Sequence, residues 1–411
     1  MKVLYLVSYI TILGEKEFIK NITGYGLMVR DIADYVSRAG VEVDVFGSSL
    51  ITKGKKYRHF NILHRTWADI FFHLKPYYFV KMLHFVKCFH PSLRHIIRVM
   101  YFFLSVGYLE DVLRNGNYDL VHIHGIGSYA KAYIDCCERL GIRYLVTLHG
   151  LNSFSESLSL EKSEKQIERD FLYKAYKNIV PLTVISTGML KVIKNYLNVQ
   201  GEIDNFHVIT NGTDVTRKYE GILDIRQKYS ISQNRKIMLS VGNICGRKNQ
   251  SQIVRAFALL PNEIKEDLSI LFLGNDTTGG ELKRLIDEKG FKDTLILCGN
   301  VNKNDMKSYY QQANFTILVS LSEGFGLSII EGFVYGLPNL TFANLDAVQD
   351  LFDKKTMLTL ADRSDTALAD GITQMLSTDW DKEYIKSYAK NFSLEHMAQE
   401  YVNIYQKIMD S

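Results

Sequence analysis

The chain has 411 residues, 46% of them apolar, enough to bury large cores and to favour two domains over one. Its formal net charge of +4 is small for this length and does not call for a nucleic acid partner. Residues 51–100 nevertheless hold ten Lys or Arg against the single Asp69, a local +9 that leaves about −5 for the rest. Five cysteines, Cys88, Cys136, Cys137, Cys245 and Cys298, lack C-x-x-C spacing, so neither a disulfide framework nor a zinc site is indicated and a reducing cytoplasm is expected.

Met1 to Val7 is too short in its apolar part for a signal peptide and reads as a first buried strand. Thr23-Gly24-Tyr25-Gly26 then leads into helical spacing at Val29, Ile32, Ala33 and Val36, with Gly40 as the stop and Val41–Phe46 as the next strand. This is a βαβ unit with a glycine turn where its helix begins. Gly24-x-Gly26 alone is a weak signal, as consistent with turn chemistry as with a ligand loop.

Segment 51–100 interleaves Trp67, Phe71, Phe72, Tyr77, Tyr78, Phe79, Phe85 and Phe89 with Lys75, Lys81, Lys87, Arg94 and Arg98. Either it lies on an anionic membrane surface, or it forms two or three helices with aromatics inward and charges in water; the first reading is preferred. The longest apolar-rich stretch, Val99–Leu109, falls far below the roughly 20 residues that span a bilayer, so a cytoplasmic protein, soluble or held at the membrane surface, is expected.

Strand signals recur at Leu120–His124, Tyr144–Leu148 and Leu182–Ile185, each ending in a small or polar residue before a helix. His122 and His124 share one strand face, as two metal ligands could; with no third ligand suitably spaced, they are read as hydrogen-bonded histidines. His149, at a strand tip before Gly150, is read as a substrate contact. The pattern pauses near Val208–Asp214, and a charged stretch runs to about Arg235. It restarts with strands at Ile237–Gly242, Leu268–Leu273, Leu295–Leu297 and Phe315–Val319. A last helix with Met397, Tyr401, Ile404, Tyr405 and Ile408 is expected to pack back on the first domain. The fold class is therefore α/β: two doubly wound Rossmann-like domains, 1–206 with helix 393–411, and 207–392.

Two places carry chemistry in the second domain. Gly242-Asn243-Ile244-Cys245-Gly246-Arg247-Lys248 sets adjacent cations at a strand's carboxyl end, where they could neutralise a diphosphate. Ser322-Glu323-Gly324-Phe325-Gly326-Leu327 turns from a buried strand into a helix whose N-terminus offers unpaired N–H groups to an anion. Glu323 either caps that helix or faces a ligand; Glu331, among Leu327, Ile330, Phe333 and Val334, needs a partner such as a ligand hydroxyl. A glycosidase pair is disfavoured, because both carboxylates would lie on one side of the ligand.

These segments together resemble the GT-B fold glycosyltransferases of family four, over nearly the whole chain. The most specific element is Glu323-x7-Glu331, with Gly324-Phe325-Gly326-Leu327 inside it and Gly336-Leu337-Pro338 after it. Gly24-Tyr25-Gly26, Asp119–Gly125, Thr147–Gly150, Asn211–Asp214 and the ending from Phe392 to Ile408 match further motifs. The resemblance implies two domains facing a central cleft and retaining transfer from a nucleoside diphosphate sugar, UDP-hexose being expected, to a lipid-linked or glycan acceptor. It implies no metal or other cofactor. Lys248 and Arg247 would hold the diphosphate, and Glu331 the ribose. Glu323 and the N–H groups of Gly324–Leu327 would contact donor sugar and phosphate, and His149 the donor sugar. Gly24 and Asn243 join the donor-binding set. Asn243 stands where the family usually has arginine, and Asp346-Ala347-Val348-Gln349-Asp350 replaces a glycine pair and glutamate, with Asp350 in the glutamate's place. A sugar-nucleotide epimerase of this architecture and a non-catalytic nucleotide- or glycan-binding protein stay open.

Overall fold

The computed structural model describes residues 1–12, 14–15, 18, 24–154, 161–215, 223–302, 304–345 and 348–411. Thr23, Asp346, Ala347 and part of the charged stretch before Arg235 lie outside the described residues. The chain divides into two compact units, Met1–Asn211 with Leu394–Ser411, and Gly212–Ser393.

The first unit is built from β1 (Lys2–Val7), α1 (Gly24–Arg38), β2 (Glu42–Gly47), β3 (Lys55–Tyr57), β4 (Phe60–Ile62), α2 (Trp67–Phe72), α3 (Pro76–Phe89) and α4 (Leu93–Asn115). There follow β5 (Leu120–His124), α5 (Ser128–Leu140), β6 (Tyr144–Leu148), α6 (Lys162–Lys177), β7 (Leu182–Val184), α7 (Thr187–Leu197) and β8 (Phe206–Val208). Its 8-stranded sheet runs β3-β4-β2-β1-β5-β6-β7-β8. All neighbours are parallel except β3, which pairs antiparallel with β4. The boundary follows Asn211 rather than residue 206, because Phe206–Val208 pairs with β7 instead of breaking the pattern.

Local chemistry starts and stops the helices. Thr66 and Asp69 form a reciprocal capping box on α2, Pro76 opens α3 where its missing N–H costs nothing, and Ser186 caps α7. The C-terminal helix, Leu394–Asp410, packs on α1 and sends Tyr405 into the core.

The second unit comprises α8 (Ile225–Lys228), β9 (Lys236–Val241), α9 (Gln250–Leu259), α10 (Asn262–Asp267), β10 (Leu268–Leu273), α11 (Glu281–Glu288), β11 (Leu295–Gly299), α12 (Met306–Gln312) and β12 (Phe315–Leu318). It ends with α13 (Leu327–Val334), β13 (Asn339–Phe342), α14 (Val348–Leu351), β14 (Met357–Leu360), α15 (Asp365–Ser377) and α16 (Lys382–Ala389). Its 6-stranded sheet, β11-β10-β9-β12-β13-β14, is parallel throughout. Both faces are covered, as the alternation shows. Met238, Ile270 and Phe272 enter one core cluster, while Ile237, Leu239, Leu271 and Leu273 enter the other.

The two glycines at the start of α1 differ. A Cβ at Gly26 would overlap the Thr11 side chain and touch Tyr9, whereas one at Gly24 meets nothing within 4 Å. Gly26→Ala is therefore expected to destabilise the first unit by about 1–3 kcal/mol. Gly24→Ala is expected to be neutral or to stabilise by up to about 1 kcal/mol. Urea unfolding of the two variants checks the pair, and equal costs would overturn the assignment.

Candidate active site

Strand order places the site in the second unit. From β9 the chain moves outward to β10 and β11, then returns to the other side of β9 with β12 and continues to β13 and β14. β9 and β12 therefore flank a reversal of direction, where the loops after them diverge and leave room for a ligand. The two loops are the ones that hold Lys248 and Glu323.

After β9, Gly242 takes φ 133°, and its missing Cβ leaves space for the Lys248 side chain, which would lie 3.2 Å away. Gly246–Lys248 forms a 3₁₀ turn ahead of α9. Lys248 Nζ donates to Glu323 Oε2 at 2.6 Å. Arg247 donates to the Ser322 carbonyl at 2.8 Å and lies 3.5 Å from the same carboxylate oxygen, to which Ser320 Oγ donates at 3.2 Å. The Lys248 and Glu323 side chains are largely buried, and Arg247 is more exposed. Asn243 accepts from the Asn275 N–H through Oδ1, tying the ends of β9 and β10 together.

Glu323 does not cap α13. Gly326 occupies the N-cap in the left-handed region, φ 79°, and no side-chain cap hydrogen bond is made there among the described residues. Gly324, Phe325, Gly326 and Leu327 thus lead into a helix end whose partial positive charge no side-chain cap occupies. Glu331, on α13, accepts from the Tyr310 hydroxyl at 2.9 Å, and the Tyr310 ring stacks on Tyr335. The partner that Glu331 requires among apolar neighbours is thus supplied within the protein.

Sequence reasoning missed Tyr310, Ser320 and Arg363. Arg363 donates to the Val319 and Ser320 carbonyls and to Asn344 Oδ1, with its guanidinium over the Phe342 ring, and so holds the end of β12. Ser320, at a strand end three residues before Glu323, was visible as a candidate; Tyr310 and Arg363 carried no local signal.

The remaining predicted residues, His149 and Gly24, belong to the first unit. There the same reversal occurs between β1 and β5, from which β2 and β6 lead away in opposite directions. His149, just past β6, shares a hydrogen bond with His124 at the tip of β5: Nε2 to Nδ1, 3.0 Å, with the rings stacked. Tyr25 meets the His149 ring edge-on and donates to the His124 carbonyl at 2.9 Å. His122 uses both nitrogens, Nδ1 with the Tyr405 hydroxyl at 2.6 Å and Nε2 with Thr147 Oγ1 at 2.7 Å; the Tyr405 and Tyr5 hydroxyls are 2.7 Å apart. His124 Nε2 and His149 Nδ1 are buried with no hydrogen-bond partner among the described residues.

Burial pushes the His149 imidazole down to about 4; burial and the charge of His149 push His122 well below the ordinary histidine range, and burial and the charges of His122 and His149 do the same to His124. These rings stay neutral in the fold at pH values where the unfolded chain protonates them. Stability contributed by neutral His149 is thus complete above about pH 6.5 and lost as pH falls toward 4, with a slope of at most about 1.4 kcal/mol per pH unit per histidine. Thermal unfolding followed between pH 7 and pH 4 should show this loss, and His149→Asn should flatten it. An unchanged profile in the variant would contradict a buried neutral His149.

Two sequence families match the chain. Residues 222–392 match Glycosyl transferases group 1, and residues 22–217 match Glycosyltransferase Family 4. The chain is 23% identical over 323 residues to the N-acetylgalactosamine-N,N'-diacetylbacillosaminyl-diphospho-undecaprenol 4-alpha-N-acetylgalactosaminyltransferase of Campylobacter jejuni, covering 75% of this chain and 80% of the relative. Sucrose-phosphate synthase of Thermosynechococcus elongatus has a similar structure, with TM-score 0.73 and 18% identity over 100% of both chains. HepE of Anabaena, solved in complex with UDP and glucose, matches with TM-score 0.63 and 16% identity over 99% of this chain and 100% of its own. At these identities the two structures speak for the fold.

Proposed function

From membership of the GT-B fold glycosyltransferases of the GT4 type, the family to which this chain belongs, we infer a retaining hexosyltransferase that uses a UDP-sugar. Its acceptor is a lipid-linked or glycan hydroxyl, in cell-surface polysaccharide or glycolipid synthesis. Its place is the cytoplasm, at the inner face of the cell membrane. The observation that carries the reading is the pairing of Lys248 and Arg247 with Glu323 at the β9–β12 reversal, beside the N-terminus of α13.

In the proposed reaction the bond from the sugar's anomeric carbon to the diphosphate oxygen breaks, and its electron pair stays on the diphosphate. The acceptor oxygen bonds to the same carbon, on the face the diphosphate leaves, and its proton departs with the diphosphate. Negative charge grows on the leaving group, so fixed cations and helix N–H groups aimed at it stabilise the transition state more than the ground state. Lys248, with Arg247, takes that role without a bound metal. Glu323 holds Lys248 in place and contacts donor sugar with the N–H groups of Gly324–Leu327. Glu331, oriented by Tyr310, takes the ribose hydroxyls. Asn243 and Gly24 line the donor loops of their units. For His149 the unpartnered Nδ1 is the atom assigned to a sugar hydroxyl, its Nε2 being engaged by His124.

UDP as donor is supported by the UDP and glucose bound to HepE, and a lipid-linked acceptor by the diphospho-undecaprenol named for the Campylobacter relative. A panel of nucleotide sugars tested for thermal stabilisation and turnover should single out a UDP-sugar, since a ligand that binds the folded state raises its midpoint. Lys248→Ala and Glu323→Gln should each lower kcat by about a hundredfold or more. Tyr310→Phe should chiefly raise the donor KM, by about three- to tenfold. Turnover that survives both of the first two substitutions would sink the site assignment, and activity lost to EDTA would sink metal independence. Donor isomerised without acceptor, seen by mass spectrometry, would favour an epimerase.

A further inference from the structure

Segment 51–100 does not sort its aromatics inward and its charges outward. Tyr78, Met82 and Phe85 of α3 and Ile70 of α2 enter the core, but a second set of large apolar side chains faces water. Phe72 is 87% exposed, Leu93 85%, Ile97 72% and Phe71 66%, joined by Trp67, Phe79, Val80 and Leu83. Soluble surfaces carry single apolar residues freely, but clusters of this kind mark contact with a partner or a membrane.

The outer residues of α2 and α4 adjoin one another. The Trp67 ring lies 6.2 Å from Phe71 and 5.6 Å from Tyr101, which is one helical turn beyond Ile97 on α4. On α3 the outward stripe is Phe79, Val80 and Leu83 with Lys87, while the opposite side packs on α4 through Phe85 and Phe103. Between Asp69 and Glu110 the sequence has no carboxylate. Within that span Lys87, Arg94 and Arg98 are exposed and have no carboxylate partner among the described residues. Arg94 and Arg98 stand beside Leu93 and Ile97 on α4, so cation and apolar side chain alternate along one exposed edge.

We propose that the outer faces of α2, α3 and the first turns of α4 form a membrane-docking surface for anionic phospholipid. The aromatics and leucines enter the boundary between headgroups and acyl chains, and Lys87, Arg94 and Arg98 pair with lipid phosphates. A protein partner would be expected to meet evenly mixed charge, whereas here the nearby carboxylates, Asp69 of α2 and Glu161 and Glu164 beside Ser92 and His95, are engaged within the protein, and the outward cations complement an anionic bilayer. No helix among the described residues is long and apolar enough to cross a membrane, so the contact is interfacial. The surface rests on the reading of a lipid-linked acceptor only for its purpose; its exposure and charge are independent of that reading.

The test is co-sedimentation of the full chain, without sugar nucleotide, with vesicles of phosphatidylcholine alone or mixed with phosphatidylglycerol, at low and high salt. Binding should require phosphatidylglycerol and weaken with salt. Arg94→Ala with Arg98→Ala should lower partitioning by about thirtyfold, and Phe71→Ser with Phe72→Ser by at least about tenfold. Because these side chains are exposed, far-ultraviolet circular dichroism and the thermal midpoint should match the parent. No sedimentation with anionic vesicles would overturn the proposal, as would concentration-dependent dimerisation abolished by Phe71→Ser with Phe72→Ser in a protein that ignores vesicles. Vesicle binding by a chain that turns over no nucleotide sugar would leave this surface standing and remove the catalytic reading instead.

Discussion

The arrangement of each unit follows from one topological constraint, the reversal of strand order at its centre. Parallel strands need crossover helices, and when successive crossovers leave a central strand in opposite directions, two neighbouring carboxyl ends are left without a connection between them. In the second unit these are β9 and β12, in the first β1 and β5. Whatever follows them faces an open crevice before any side chain is chosen. The residues there are in keeping with that demand. Gly242 gives up its side chain so that Lys248 can lie against the backbone, and Gly274 must lack one because its Cβ would strike the Gly242 carbonyl.

On the two crevices the chain places opposite electrostatics. The second unit concentrates charge: Lys248 and Arg247 converge on Glu323, and a helix N-terminus lies beside them without a side-chain cap. Such a partly buried ion pair contributes little net stability, since the desolvation of both ions offsets much of their attraction. Its effect is positional, keeping a long flexible ammonium at the strand ends instead of in solvent. The first unit removes charge. Burial keeps His124 and His149 neutral, so what its crevice presents are imidazole nitrogens able to donate or accept one hydrogen bond each. Neutral, directional groups distinguish hydroxyls, and fixed cations hold phosphates.

Much of this was legible in the residues. Long apolar strands such as Leu268–Leu273 and the glycine turn before Leu327 announce themselves, because burial on both faces and a helix start leave local signatures. The strands that escaped are short or two-sided. β3 and β4 have three residues each, β8 carries His207 in its middle, and β13 and β14 follow Pro338 and a charged loop. Individual roles were less legible still. Whether Glu323 caps a helix or holds a lysine is decided by Lys248, 75 positions earlier. Tyr310 reaches Glu331 from α12 and Arg363 reaches the end of β12 from the loop after β14, and no spacing rule connects a tyrosine on α12 to a glutamate on α13.

Helix α3 shows why the surface was harder to read than the core. Its apolar residues fall on two stripes, Tyr78-Met82-Phe85 and Phe79-Val80-Leu83, interrupted by Lys81, His84 and Lys87, so periodicity alone does not say which stripe faces the core. The fold buries only the first stripe, against α4. The second carries several large side chains, each worth about 1.5–3 kcal/mol when taken fully from water, and the described residues leave it uncovered. A helix with a second, exposed stripe of large apolar side chains is unfavourable in water and favourable at an apolar boundary. The cations of α3 and α4, unmatched by any carboxylate between Asp69 and Glu110, specify the sign of that boundary.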